Sequence, residues 1–215
     1  MNEDNSQSTI MQSLNFLYDK AVNGSFPFMP SVKELAESYL KKGKYKTMQE
    51  RASSFINWQV AKTSTSGFIT GLGGIITLPI AIPADVGIVL LVQMRMIAVI
   101  AYMGGYNLKD DQVKTMVYMT LAGMSVGDIT KRTLIGIGVK IGEKVLTKLP
   151  GKILIDINKQ VGFRLFTKFG SKGIINIIKV VPVIGGLIGG AVDGGVTKII
   201  GNKAIKNFID IDGTK

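Results

Sequence analysis

Apolar residues recur at helical spacing along most of the chain, and no strand-type alternation of useful length occurs, so the pattern predicts an all-α fold. Residues 1–8, polar and acidic, read as a disordered lead-in. A short helix is expected from Thr9 to Val22, with Ile10, Leu14 and Leu17 on one side. Asn23-Gly24 ends it, and Pro27 and Pro30 punctuate a linker. Ser31 followed by Glu34 is a capping-box pattern that opens a second helix, and Lys41-Lys42-Gly43-Lys44 marks its exit. A third helix starts near Thr47, carries Phe55, Trp58 and Val60 inward, and has its last charge at Lys62.

The most apolar stretch runs from Gly67 to Tyr106. Thr63 to Ala84 comprises 22 residues without a charge, nominally enough to span a bilayer. Four glycines and the two prolines Pro79 and Pro83 lie inside it, so a continuous helix is broken and a new one is expected from about Ala84 to Met103. Gly104-Gly105 stop that helix, and Lys109-Asp110-Asp111 open the next. A second apolar block, Val180 to Gly195, is glycine-rich: Gly186, Gly190 and Gly194 fall four apart and form a helix-packing ridge. Thr197 to Phe208 closes the chain as a helix. The expected architecture is a compact multi-helix bundle with two Gly/Pro-interrupted apolar helical segments. Residues 1–30 form the lead-in and first helix, and residues 31–212 one helical domain.

Within the apolar blocks stand four polar side chains, Asp85, Gln93, Arg95 and Asp193. Buried without partners, each would cost several kcal/mol. Asp85 and Arg95 are ten residues apart, about 15 Å along one helix, so they cannot pair with each other. Asp193 is the expected partner of Arg95, and Arg132 or Lys131 that of Asp85. Three readings stand side by side: structural pairing that fixes helix register, a polar pocket gripping a headgroup or small ligand, and an ion-handling site within a membrane.

Composition sharpens this picture. Of 215 residues, 46% are hydrophobic and only 19% charged, and the net charge is +11. Residues 131–215 hold fifteen Lys/Arg against five Asp/Glu, so nearly the whole excess lies there. Lys140, Lys144, Lys148 and Lys152 fall at steps of four, with Pro150 interrupting the last, and Lys159, Arg164, Lys168 and Lys172 continue the basic set. Such a stripe suits an anionic surface, and a merely solvated face is the bland alternative. Phe163, Phe166 and Phe169 are spaced like a buried helix side, no nucleic-acid motif is present, and lipid is therefore favoured over nucleic acid. The chain has no Cys and no His, which removes thiol chemistry, imidazole metal ligands and Ser-His-Asp catalysis. No phosphate-cradle motif occurs. Gly136, Gly138 and Gly142 have a dinucleotide-like spacing without a βαβ context. No metal site and no cofactor is expected. The N-terminus has no secretory signal pattern, so a cytoplasmic, membrane-associated location is expected, either peripheral or partly inserted.

Two blocks together resemble the EcsC family. The first is Leu78-Pro79 through Pro83-Ala84-Asp85, then Gln93-x-Arg95, Ile100-Ala101 and Gly105-Tyr106. The second is Lys179-x-x-Pro182-x-x-Gly185-Gly186-x-x-Gly189-Gly190 with Asp193, Thr197, Gly201, Ala204 and Phe208. One departure stands out: the family's Tyr-Gly-Tyr-Asp closing the first block is here Gly104-Gly105-Tyr106-Asn107. The resemblance implies a compact bacterial helical domain, often predicted to associate with membranes, and it brings no established reaction or catalytic residue. The leading expectation is a non-enzymatic membrane-associated protein that meets anionic lipid through its basic segment, with a membrane-protein partner or a second copy as further company. A pore-forming or membrane-disrupting toxin-like domain is the alternative. An enzyme using Asp85 or Asp193 with Arg or Lys partners is the third.

Overall fold

The structure, a computed structural model, describes residues 3–24, 29–63, 84–125, 151–169 and 191–210. These contain seven helices and no strand: α1 (Glu3–Asn23), α2 (Val32–Leu40), α3 (Met48–Thr63), α4 (Ala84–Met103), α5 (Asp111–Leu121), α6 (Gly151–Phe169) and α7 (Ala191–Phe208). The all-α bundle expected from the apolar spacing forms. The glycine- and proline-rich interruptions at 67–83 and 180–190 lie outside the described residues.

Helix α4 is the axis. Every residue from Leu90 to Ala101 is buried, and α1, α2, α3, α5 and α7 all pack against it. A helix that is apolar on every side belongs where every side is covered, and here the covering is protein. No described helix is long and apolar enough to cross a membrane.

The first helix corrects the expected lead-in. It begins at Glu3 rather than Thr9, so most of residues 1–8 is helical. No Gly or Pro interrupts residues 3–22, and Glu3 and Asp4 stand at the N-terminal turn, where the helix dipole favours acidic residues. Leu14, Leu17, Tyr18 and Ala21 form one buried stripe at helical spacing. They join the same core as the later helices, through packing on α4 and α6.

Local chemistry sets the other boundaries. Ser31 Oγ accepts from Glu34 N (3.2 Å) while Ser31 N donates to Glu34 Oε2 (2.7 Å), completing the capping box that starts α2. At the end of α4, Gly105 adopts φ +83°, Gly105 N donates to Tyr102 O (3.0 Å) and Tyr106 N to Ala101 O (3.1 Å). This double closure needs a left-handed residue, which glycine supplies without steric cost. The end of α5 repeats it: Gly123 has φ +74°, with Gly123 N bonded to Thr120 O (2.9 Å) and Met124 N to Met119 O (2.8 Å).

Helices α3 and α7 run antiparallel. Gln49 Nε2 donates to Asp210 Oδ1 (2.8 Å) at one end, and Ile56 lies on Gly201 in the middle. A Cβ at Gly201 would stand 2.7–2.9 Å from three Ile56 side-chain atoms, so the missing side chain is what lets the two helices touch. The expected ridge contributes Gly194, which is buried in the first turn of α7, whereas Gly186 and Gly190 lie outside the described residues.

Two tyrosines close the α1–α5 contact. Tyr18 and Tyr118 meet edge to face at 5.8 Å. Tyr18 Oη donates to Leu108 O (2.8 Å) and Tyr118 Oη to Asn15 Oδ1 (2.9 Å). Burial pushes both phenols above their ordinary value of 10.0. The Asp19 and Asp110 carboxylates add to the rise at Tyr18, and Tyr18 and Asp19 add to it at Tyr118. A raised acid is held neutral in the fold, so its stability contribution is complete below about pH 10 and is lost as pH climbs toward the folded-state value. A titration followed by phenolate absorbance and helical circular dichroism should therefore show two tyrosines ionising only as the helices melt. Free titration of all six tyrosines near pH 10 with the helices intact would contradict it.

Candidate functional site

Arg95 is the one charged side chain buried in the middle of α4, 5% exposed. Its Nη1 donates to the carbonyl of Ala21 at 3.2 Å, and its Nη2 donates to the carbonyl of Pro30. Ala21 lies in the last turn of α1, where carbonyls lack intrahelical partners, and Pro30 immediately precedes the N-cap of α2. The guanidinium thus ties the exit of one helix to the entry of the next, and it complements the negative end of the α1 dipole. Burial lowers its pKa to about 10, with the Glu34 carboxylate opposing that shift, so it stays cationic at neutral pH. Around it stand Glu34, whose pKa is lowered first by the Ser31 backbone hydrogen bond, and Lys62, lowered by burial and then by Arg95.

Gln93 lies two residues earlier, 3% exposed, and its Oε1 has no hydrogen-bond partner among the described residues. Asp85 and Asp193 occupy the first turns of α4 and α7, positions at which helices favour acidic residues; their side chains lie outside the described residues. Of the expected cluster, the structure therefore places Gln93 and Arg95 in the core. The pairing of Arg95 with Asp193, and of Asp85 with Lys131 or Arg132, falls outside the described residues. Among the described residues Arg95 bonds to two backbone carbonyls, those of Ala21 and Pro30, an arrangement that suits the register-fixing reading.

Two other cations repeat the arrangement, and neither stood out in the sequence. Arg51, in the first turn of α3, donates through Nη1 to the carbonyls of Tyr39 (3.0 Å), Leu40 (2.6 Å) and Lys42 (2.9 Å), and through Nη2 to Tyr45 (3.0 Å). It closes the C-terminus of α2. Lys203, on α7, donates to the carbonyl of Gly123 (2.8 Å), just past α5. Beside it the buried Asn207 donates to Thr120 Oγ1 (2.8 Å) and Met124 O (3.2 Å). In each case the acceptors among the described residues are main-chain oxygens at or just past a helix end, which a side-chain spacing rule does not find.

Of the basic set, Lys152 and Lys159 are exposed on α6. Ile155, 56% exposed, falls between them on the same outer stripe together with Asp156, while Ile157 and Val161 face the core. Arg164 and Lys168 belong to α6, with side chains outside the described residues, and Lys140, Lys144, Lys148 and Lys172 lie outside them altogether. Among the described residues no three acidic side chains gather as a metal site.

No curated protein and no solved structure matches the chain. Comparison with protein families matches residues 4–208 to the EcsC protein family. That span takes in every helix above, nearly from end to end, and the chain belongs to the EcsC family.

Proposed function

We propose that this EcsC-family chain is a non-enzymatic helical protein that docks on anionic membrane from the cytoplasmic side through its basic segment, residues 131–172. The observation that carries the reading is the outer stripe of α6. Lys152, Ile155 and Lys159 recur there at helical spacing, with a large apolar side chain left in water between two cations. Ile155 stands there among Lys152, Asp156 and Lys159, and an apolar side chain flanked by lysines suits a headgroup layer. The concentration of the net positive charge in residues 131–215 points the same way. The polar side chains of α4 serve the fold in this account, not a reaction.

Flotation of the full chain with vesicles tests it. With phosphatidylglycerol-containing vesicles the protein should rise, with pure phosphatidylcholine it should stay behind, and raising salt should release it, because exposed charges are screened within about 3 Å at 1 M. K152Q/K159Q should weaken binding about ten-fold or more, at roughly 1 kcal/mol per lysine near an anionic leaflet. Absence from both floated fractions would end the proposal.

A further inference from the structure

Between α2 and α3 the chain reads Lys41-Lys42-Gly43-Lys44-Tyr45-Lys46, and all four lysines are exposed. The loop is not a loose tether. Arg51 draws the carbonyls of Tyr39, Leu40, Lys42 and Tyr45 to its inside, and the Tyr45 hydroxyl meets Ser54 Oγ. The Lys42 ammonium lies 3.6 Å from the Tyr39 ring centroid, and that of Lys44 lies 4.9 Å from the Tyr45 ring. With the main chain gathered inward, the cations are left on the outside of a fixed turn.

The carboxylates nearby are already engaged. Glu50 Oε2 accepts from Lys46 N (2.7 Å) and Thr47 N (3.3 Å), Asp210 accepts from Gln49 Nε2, and Glu37 stands 3.9 Å from Lys33. At the tip a Cβ added to Gly43 would meet nothing within 4 Å. The lysines therefore stand on an open, convex turn rather than around a pocket. That shape suits an extended anionic surface, which touches several cations at once, better than a small anion, which needs them to converge.

We propose that the α2–α3 loop is a second lipid contact, in which Lys41, Lys42, Lys44 and Lys46 meet the phosphates of an anionic bilayer and Tyr45 lies at headgroup level. This rests on the membrane reading above and adds to it a separate, preorganised point of attachment. Two contacts on one chain fix its orientation on the membrane and reinforce each other.

Partition of the full chain onto phosphatidylglycerol/phosphatidylcholine vesicles tests it with three variants. K41Q/K42Q/K44Q/K46Q should lose affinity by on the order of several hundred-fold, at about five-fold per lysine. K20Q/K33Q/K109Q/K114Q removes the same charge elsewhere and should lose far less; an equal loss would overturn the proposal as a net-charge effect. K152Q/K159Q reports on the basic segment separately. If it loses binding while the loop variant matches wild type, the loop assignment fails and the membrane reading stands. If the loop variant alone loses binding, the loop is supported and the assignment to residues 131–172 fails. Failure of the wild-type chain to bind at all overturns both. The replaced loop lysines are exposed, so unchanged thermal melting shows that the variants remain folded.

Discussion

Arg95→Met should destabilise the protein by about 3 kcal/mol, read as a lowered denaturant midpoint with an unchanged slope. Methionine matches the length and volume of the arginine stem, so the loss is not chiefly a cavity. What disappears is the pair of charge-assisted bonds to the carbonyls of Ala21 and Pro30, each worth about 1.5–3 kcal/mol. The Ala21 oxygen is then left buried, and the Pro30 oxygen partly so, at the junction between α1 and α2. Relief of the buried charge offsets part of this, which is why the figure is not larger. Arg95→Lys keeps a cation but loses the planar fork that reaches two carbonyls at once, and should fall between the two. A side chain kept for a ligand would behave oppositely: removing it would leave stability unchanged or raise it, and that result would return Arg95 to the list of binding groups.

Gly104→Ala should cost about 3 kcal/mol, lowering the melting temperature by roughly 6–12 °C in a chain of this size. The Cβ it introduces would fall on the carbonyl oxygen of Phe208, far inside van der Waals contact, and a backbone atom cannot rotate away. Either the end of α4 or the end of α7 must shift, which disturbs the Tyr106–Phe208 contact, edge to face at 5.3 Å. Gly43→Ala is the matching control, because a Cβ there meets nothing within 4 Å; its effect should stay within about 0.5 kcal/mol. Equal melting temperatures for the two variants would show that α4 and α7 do not meet this way.

What could be read from the sequence was what neighbours in the sequence decide. The Ser31–Glu34 box, the start of α4 after Pro83 and its stop at Gly104-Gly105 are local events, settled within four residues, and all three hold in the structure. The start of α1 lies earlier than its polar composition suggests, because nothing in residues 3–8 breaks a helix. Arg95 was recognisable as a buried cation, but not its partners, since Ala21 and Pro30 lie 74 and 65 residues away and offer only main-chain oxygens. Arg51 and Lys203 were missed for the same reason. Among the glycines, the regular spacing near 186–194 is the visible signal, whereas the close contacts the structure describes include Gly104 on Phe208 and Gly201 on Ile56, whose meaning comes from distant helices.

The central claim is that α4, the most apolar helix described, is covered by protein and needs no lipid, so that any membrane contact is made from the outside. Hydrogen exchange of the full chain in lipid-free buffer, repeated with anionic vesicles, tests it most directly. The amides of residues 90–101 should be the slowest in the molecule without lipid and unchanged when vesicles are added, with new protection confined to exposed basic elements such as α6. Rapid exchange of 90–101 in buffer, becoming slow only on vesicles, would contradict the claim.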